Sequence, residues 1–286
     1  MKGIDAQLEK LLQLSLAEDI GPRDLTSTLL PPRHTSKADA IFKEEAVLCG
    51  ITIAEHIFRM IDEELRFLPV AKDGEVIAKN RAIFYVEGAT RSILTAERTA
   101  LNYLQHMSAV ATKTRAFVEK TTGTEAKILD TRKTWPLFRA LDRYSVRMGG
   151  GVNHRNGLYD GVLIKDNHIE ALKKQSITDI VKSARSKFPK NVAVGVEVKN
   201  LKELAAALAA PADYILLDNF TPEQVKEAVA FRKAQKIFIP LEVSGGVNLD
   251  NVAAYAQCGV ERISVGALTH SVKAVDISLN LLPVQP

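Results

Sequence analysis

The spacing of hydrophobic residues predicts two regions of different architecture. Residues 4–18 repeat apolar side chains at helical spacing, which predicts an amphipathic helix. Segments 37–48 and 75–86 alternate or run apolar as strands do, and residues 51–61 between them read as a helix. A long helix is predicted for about 93–120. The first 90 or so residues are therefore predicted to form an α+β sandwich-like domain.

From about residue 125 the chain repeats a unit of apolar run, polar tip and helix. The runs are AKILD, GVLI, NVAVGVEV, YILL, IFIPLEV and RISV, and each is apolar on both faces, as parallel strands covered by helices are. Six units are fewer than a complete eight-fold barrel contains. We therefore predict a shortened, about six-stranded α/β barrel, with an open doubly wound sheet as the alternative.

Composition narrows the classes of function. The 286 residues are 46% hydrophobic and 25% charged, typical of a soluble globular enzyme, and no apolar run is long enough for a membrane span. The N-terminus lacks the layout of a secretory signal, so we expect a cytoplasmic protein. A net charge of +4 with only 6% aromatic residues disfavours nucleic-acid binding. Cys49 and Cys258 have no metal-ligand spacing and are expected to be reduced thiols.

Cations are unusually dense between residues 131 and 155, where Asp142 is the one acid. Arginine forks and lysine charges so close together favour a small, multiply anionic ligand, although a solvated loop is the plainer alternative for some of them. Three of the arginines share one helical stripe, which suits a solvated face, an anion-attracting field or a subunit contact. The six cations are Arg132, Lys133, Arg139, Arg143, Arg147 and Arg155.

Polar residues at the strand ends are further candidates, because ligands of parallel α/β folds bind there. His154 can orient a carboxylate, act as an acid or be structural. Lys165 can bind an anion or act as a Schiff-base nucleophile. Glu197 and Asp218 suit ribose hydroxyls, a developing positive charge or magnesium held largely through water, or serve as salt-bridge partners of the cations.

Glycine-rich turns complete the pattern. Gly149–Gly151 allows close backbone approach to a ligand or forms a flexible turn. The sequence lacks the GxGxxG and P-loop motifs, which argues against dinucleotide and nucleoside-triphosphate sites of those types. Ser244–Gly246 and Gly266–Ala267 follow the last two predicted strands, the usual place of a barrel phosphate site.

Several motifs together resemble one family. DTRKT, VRxGGGxNHRxGLxDxxLIKDNH, VEVKN, LLDNF, LEVSGGV and SVGALTHS occur in order, with EDIGPRDLTS and ERTALNYLQHMSAVAT before them. They resemble the quinolinate phosphoribosyltransferases over nearly the whole chain. Departures are Trp135, where the family more often has Thr, Leu137-Phe138 for a common Gly-Leu, and Met148 for a frequent Cys.

The resemblance implies a pentosyltransferase of de novo NAD biosynthesis. It would convert quinolinate and phosphoribosyl pyrophosphate to nicotinate mononucleotide, pyrophosphate and carbon dioxide, with Mg²⁺ and no redox cofactor. It implies Lys133, Glu197 and Asp218 as catalytic residues, with the two acids also holding the metal, directly or through water. The implied substrate-binding residues are Arg98, Thr131, Arg132, Lys133, His154, Arg155, Lys165, Glu197, Asp218, Ser244, Gly245, Gly246, Val265, Gly266 and Ala267.

The resemblance also implies an organisation into domains and subunits. Residues 1–112 would form the N-terminal sandwich domain, 113–270 the barrel, and the tail at about 271–286 would return to the first domain. The protein would form homodimers whose subunits share active sites. Assembly of these dimers into a trimer of dimers is left open. Competing hypotheses are a molybdenum-transport-associated pyrophosphorylase-like relative, a Schiff-base aldolase using Lys165, and a non-catalytic phosphosugar sensor.

Overall fold

The structure is a computed structural model that describes residues 4–283, and it divides into two compact units. The first unit takes the chain up to Lys113, then 136–150, then the segment from Ser271 onward. The second takes 114–135 and 151–270. The chain therefore leaves the second unit once, for a 15-residue segment that the sequence alone does not mark as belonging to the first.

The first unit contains an antiparallel sheet of four strands in the order β12-β1-β5-β3, and a separate two-stranded pair, β2-β4. Asp39 lies opposite Asn280 in the pairing of β1 with β12, so the C-terminal segment forms an edge strand of this sheet. The strands are β1 (Thr35–Phe42), β2 (Ala46–Val47), β3 (Arg66–Pro69), β4 (Val76–Ile77), β5 (Ala82–Ala89) and β12 (Ile277–Leu281).

Helices bury their apolar faces in this unit's core. They are α1 (Ala6–Ile20), α2 (Ile51–Ile61), α4 (Arg139–Met148) and the part of α3 (Thr90–Lys120) up to Lys113. The Asp5 side chain caps α1 by accepting a hydrogen bond from the Leu8 N–H. Phe58, Phe67 and Phe84 form an aromatic cluster, with 4.4 Å between the stacked rings of Phe67 and Phe84.

The second unit is built on six parallel strands in the order β6-β11-β10-β9-β8-β7. This confirms the predicted six-stranded parallel α/β arrangement. This strand order is the one that is met on going once around a barrel, starting at β6. Strand β6 pairs with β11, and its residue Leu129 also forms an isolated parallel bridge with Val152. The strands are β6 (Lys127–Leu129), β7 (Gly161–Ile164), β8 (Ala193–Val198), β9 (Tyr214–Asp218), β10 (Leu241–Ser244) and β11 (Arg262–Ser264).

Helices follow the strands, as βα repeats require. Asn200 and Thr221 cap the N-termini of α7 and α8 through side-chain oxygens, as these residue types commonly do. The helices are α5 (Asp166–Ala171), α6 (Ile177–Lys187), α7 (Leu201–Leu208), α8 (Pro222–Ala234), α9 (Val252–Gln257) and α10 (Ala267–His270).

Register places functional-looking side chains in one layer of this sheet. Glu197 lies opposite Leu216, Leu216 opposite Glu242, and Glu242 opposite Arg262. Directly paired residues of neighbouring strands point to the same face. Asp218 and Ser244, paired with each other two residues further on, lie on that face nearer the strand ends.

Candidate active site

A cavity of about 550 Å³ opens at the carboxyl ends of the second unit's strands. Its volume is in the range of small-molecule sites, and its position is where α/β folds bind ligands. It is lined by Thr131, Arg132, Lys133, His154, Arg155, Leu163, Lys165, Leu216, Asp218, Asn219, Glu242, Ser244, Gly245, Gly246, Val247, Ser264, Val265, Gly266, Ala267 and His270.

Cationic side chains dominate one side of the cavity. Arg132 and Lys133 follow β6, and Arg155 donates from Nη1 to the carbonyl oxygen of Gly161 at 2.9 Å. Burial, with the charge of neighbouring Arg132, lowers the pKa of Arg155 from its ordinary value. Two guanidinium groups that repel each other in a partly buried place favour an anionic ligand between them.

Two carboxylates stand near the cations on neighbouring strands. The Lys165 ammonium lies 3.0 Å from Glu197, whose side chain is 7% exposed while that of Lys165 is 47% exposed. Asp218 at the end of β9 accepts a hydrogen bond from the Asn219 side chain at 3.0 Å. The lysine thus meets its acid inside the protein while keeping access to the cavity.

Glycines bring the backbone close to the cavity at two strand ends. Gly245 has φ +97°, and a Cβ there would lie 2.1 Å from Oδ1 of Asn219, so a larger residue would strain the backbone and displace the Asn219 side chain. Gly246, at φ +63°, also occupies the left-handed region. A Cβ on Gly266 would lie 3.0 Å from the Lys133 side chain. Exposed backbone N–H groups in such turns suit an anion.

A buried acid beneath the cavity was not predicted from the sequence. Glu242 is 0% exposed and accepts hydrogen bonds from Arg262 Nε at 2.6 Å, from Ser264 Oγ, and from His154 Nε2 at 3.2 Å. Burial alone raises the pKa of Glu242, but these partners outweigh it, so the pKa lies below its ordinary value. The available signal was a charged residue inside the apolar run PLEVS.

The structure brings most of the predicted site residues together. All the predicted substrate-binding residues line the cavity except Glu197, which joins it through Lys165, and Arg98, which is exposed on α3 in the first unit. Lining residues that the sequence did not single out are Leu163, Leu216, Asn219, Glu242, Val247, Ser264 and His270.

The remaining predicted features lie elsewhere. The arginine stripe is on α4 in the first unit, where the Arg147 guanidinium stands 5.6 Å from the ring centre of Tyr144. The triple glycine ends α4, with Gly150 at φ +91°, so it serves a turn. Cys49 is buried and Cys258 half-buried, both as free thiols.

Residues 4–283 contain neither a metal-type cluster of side chains nor a membrane-spanning helix. In that range no three or more His, Cys, Asp or Glu side chains are grouped so that they could hold a metal ion. Nor does any helix within it have the length and apolar character needed to cross a membrane.

The fold and the cavity define a parallel α/β protein with a cation-rich cavity at its strand ends. Comparison with known protein families identifies the family of this chain. The model of the quinolinate phosphoribosyl transferase N-terminal domain matches residues 24–108, and that of the C-terminal domain matches residues 110–280.

Individual relatives agree over nearly the whole chain. The chain is 41% identical to a probable nicotinate-nucleotide pyrophosphorylase (carboxylating) of Bacillus subtilis, covering 96% of this chain and 93% of the relative. It is also 41% identical to the corresponding Mycobacterium leprae protein, covering 94% and 95%. The solved nicotinate-nucleotide pyrophosphorylase of Francisella tularensis superposes with a TM-score of 0.90 at 42% identity, covering 96% and 95%. The chain belongs to the quinolinate phosphoribosyltransferase family, a family of pentosyltransferases.

Proposed function

We propose that this protein is a nicotinate-nucleotide pyrophosphorylase (carboxylating). It transfers a phosphoribosyl group from phosphoribosyl pyrophosphate to the ring nitrogen of quinolinate and releases pyrophosphate and carbon dioxide. The observation that carries the proposal is the cavity at the strand ends, where Arg132, Lys133, Arg155 and Lys165 meet glycine-rich turns. Two substrates with two carboxylates and three phosphate groups need such a concentration of cations.

The cations have distinct tasks in this proposal. Arg132 and Arg155 offer planar forks for the quinolinate carboxylates, which a lysine does not replace geometrically. Lys133 and Lys165 supply point charges to the carboxylates and the pyrophosphate. The turns Ser244–Gly246 and Val265–Ala267 supply backbone N–H groups to the ribose phosphate. The partial burial of Arg132 and Arg155 strengthens the attraction of these two guanidinium groups for an anion.

The acids act on the sugar. Attack by the ring nitrogen on the anomeric carbon develops positive charge on the ribose, and carboxylates fixed beside it stabilise that charge. Asp218 projects from the end of β9 and Glu197 from β8, on the same face of the sheet. Loss of carbon dioxide follows once the ring carries a positive charge. The chain needs no nucleophile of its own for either step.

Magnesium fits these residues as an ion held mainly by the substrate. Mg²⁺ in such sites keeps several waters and takes one or two protein carboxylates plus phosphate oxygens, which the pair Glu197 and Asp218 can provide. When bound, the ion would neutralise charge on the leaving pyrophosphate. Glu197 is already paired with Lys165, so Asp218 is the more available ligand.

A Schiff-base aldolase is the competing function for Lys165. Its ammonium lies 3.0 Å from the carboxylate of Glu197. That carboxylate holds the head group of Lys165 in an ion pair, whereas the nitrogen of a Schiff-base lysine must be free to attack a carbonyl carbon. The ion pair therefore supports anion binding over covalent catalysis. A phosphosugar sensor would gain nothing from acids beside the bound anion.

The direct test combines the protein with quinolinate, phosphoribosyl pyrophosphate and Mg²⁺ and measures nicotinate mononucleotide. We expect product with quinolinate and little with nicotinate, because nicotinate lacks the second carboxylate that the cations of the cavity would bind. Lys165→Ala should abolish most activity, whereas Lys173→Ala, an exposed lysine paired with Glu170 on the surface, should retain it. Equal efficiency on both acids, or no product at all, contradicts the proposal.

We also propose a cytoplasmic homodimer that completes each site with Arg98 from the neighbouring subunit. Arg98 is exposed on α3 and outside the set of cavity-lining residues, which supports a role in trans. Inactive Arg98→Ala and Lys165→Ala variants should regain about a quarter of wild-type activity when mixed under exchange, because one site per mixed dimer carries neither change. No recovery despite proven exchange contradicts a shared site.

A further inference from the structure

The ring of His154 has both nitrogens engaged within the protein. Its Nδ1 accepts a hydrogen bond from the backbone N–H of Arg155 at 2.7 Å. An imidazole nitrogen that accepts carries no proton, so the proton of the neutral ring is on Nε2. Nε2 lies 3.2 Å from Oε1 of Glu242 and donates to it. The His154 side chain is only 10% exposed.

Glu242 is held as firmly as the ring that it receives. Arg262 donates to its Oε2 at 2.6 Å, and Ser264 donates to Oε1. Tyr214 packs against this arrangement: the Arg262 guanidinium lies 4.8 Å from its ring centre and the His154 ring meets it edge-on at 5.5 Å. The carboxylate, with three donors around it, has little capacity left for a ligand.

His154 is also fixed through its backbone. Its N–H donates to Oδ1 of Asp130 at 2.7 Å, and Asp130, which directly follows β6, is 1% exposed. Arg155 follows directly, and its guanidinium donates to the Gly161 carbonyl. The direction of Arg155 into the cavity thus depends on an N–H bond to the His154 ring, and the orientation of that ring depends on Glu242.

We infer that Glu242 is a positioning residue: its buried carboxylate fixes the Nε2-protonated ring of His154, which in turn orients Arg155 toward a substrate carboxylate. The inference rests on the proposed function for the identity of the substrate. A buried ionised group is expensive to desolvate, and apolar residues often stabilise such a place equally well. Positioning explains why an acid stands beneath the cavity.

The test uses Glu242→Gln in the full-length protein. Glutamine keeps the shape but loses the charge that orients the donors, so the KM for quinolinate should rise roughly tenfold while kcat changes less than about twofold. The matched control is Glu261→Gln. Glu261 also accepts from an arginine, Arg232 at 2.8 Å, and from the Leu241 N–H, but lies outside the cavity lining. The Glu261→Gln variant should have a lower thermal stability than the wild type and an unchanged KM for quinolinate.

A second readout does not depend on enzymatic activity. Nitrogen-15 NMR of histidine-labelled wild-type protein near neutral pH, with the His154 signal assigned by its absence in His154→Asn, should show the neutral Nε2–H tautomer. An imidazolium or an Nδ1–H ring overturns the inference, as does an unchanged KM in Glu242→Gln. If the wild type fails to convert quinolinate but shows this tautomer, the proposed function fails and the hydrogen-bonded arrangement stands.

Discussion

The two units of this protein have differently built interiors. The core of the first unit is largely apolar, centred on fully buried side chains such as Phe42, Phe58 and Phe84. The second unit instead buries carboxyl groups next to its cavity: Glu242 on β10 is 0% exposed, and Asp130, directly after β6, is 1% exposed. Apolar cores tolerate repacking if volume is kept, whereas buried charges need partners in one geometry. The buried carboxyl groups of the second unit therefore require a fixed geometry of their partners, whereas the apolar core of the first unit requires mainly that its volume be kept.

The contrast has one instructive exception. Asp142 on α4 is also 0% exposed, and it accepts from His106 on α3 at 2.6 Å. This is a single pair within the first unit, joining two helices. Glu242 of the second unit instead belongs to a connected network with His154, Arg262 and Ser264, and this network adjoins the cavity. Burial of a charge alone is therefore a weaker sign of function than its connection to a cavity.

The largest predicted effect tests the apolar interior. Phe84→Ala removes a fully buried ring that stacks on Phe67 at 4.4 Å. It should lower the free energy of unfolding by about 3–5 kcal/mol, as Phe-to-Ala changes in cores do. Denaturant titration measures this loss. Phe238→Ala, at a ring that is 97% exposed, is the control and should change stability by no more than about 0.5 kcal/mol.

The next effect tests the charged interior. Asp218→Asn should lower kcat by roughly 100- to 1000-fold, about 2.7–4 kcal/mol, the scale of a lost electrostatic contact to the transition state. Quinolinate binding should change little, because the proposed partner is the ribosyl group. The control is Asp213→Asn, next to the opposite end of the same strand. It should leave kcat unchanged and lower the stability of the protein, because it weakens the hydrogen bond that the Asp213 carboxylate accepts from the Val194 N–H. A variant that loses quinolinate affinity but keeps its rate would reassign Asp218.

A smaller effect separates geometry from charge in the cavity. Arg132→Lys keeps the positive charge and loses the planar fork. The kcat/KM for quinolinate should therefore fall by a factor that corresponds to about 1–3 kcal/mol of lost transition-state stabilisation. Arg185→Lys, at an arginine that bonds Asp213 and the Val192 carbonyl away from the cavity lining, should leave kcat/KM unchanged. Wild-type kinetics in Arg132→Lys would remove that residue from the site.

The smallest effect concerns backbone strain in the first unit. Leu137 has φ +68°, a region that glycine adopts readily and leucine does not, and its side chain is 64% exposed. Leu137→Gly should raise the free energy of unfolding by about 0.5–1 kcal/mol. Asn80→Gly, at φ +63°, should gain less, because Asn tolerates this conformation. A loss of activity in Leu137→Gly would show that the strain serves function.

Much of the second unit was readable from the sequence because its signal is local. In each βα repeat an apolar run predicts the strand, and the polar residues at its end predict a site residue, as at Lys165 and Asp218. The elements of the first unit were harder to predict from the sequence. Strand β3 was not predicted, since RFLP is short and ends in proline, with only Phe67 buried. The place of α4 in the first unit depends on contacts far along the chain.

The sequence by itself determined the repeat of parallel strands, the cations and glycines at their ends, and the family. Apolar periodicity and turn chemistry are properties of neighbouring residues, so they survive without a fold. Only the tertiary structure decided that Glu242 receives His154, Arg262 and Ser264, or that Glu197 pairs with Lys165. Glu242 and Arg262 are paired by the register of β10 with β11, whereas His154 and Lys165 lie outside the strands, so the contacts depend on segments far apart in the sequence, which no single segment encodes.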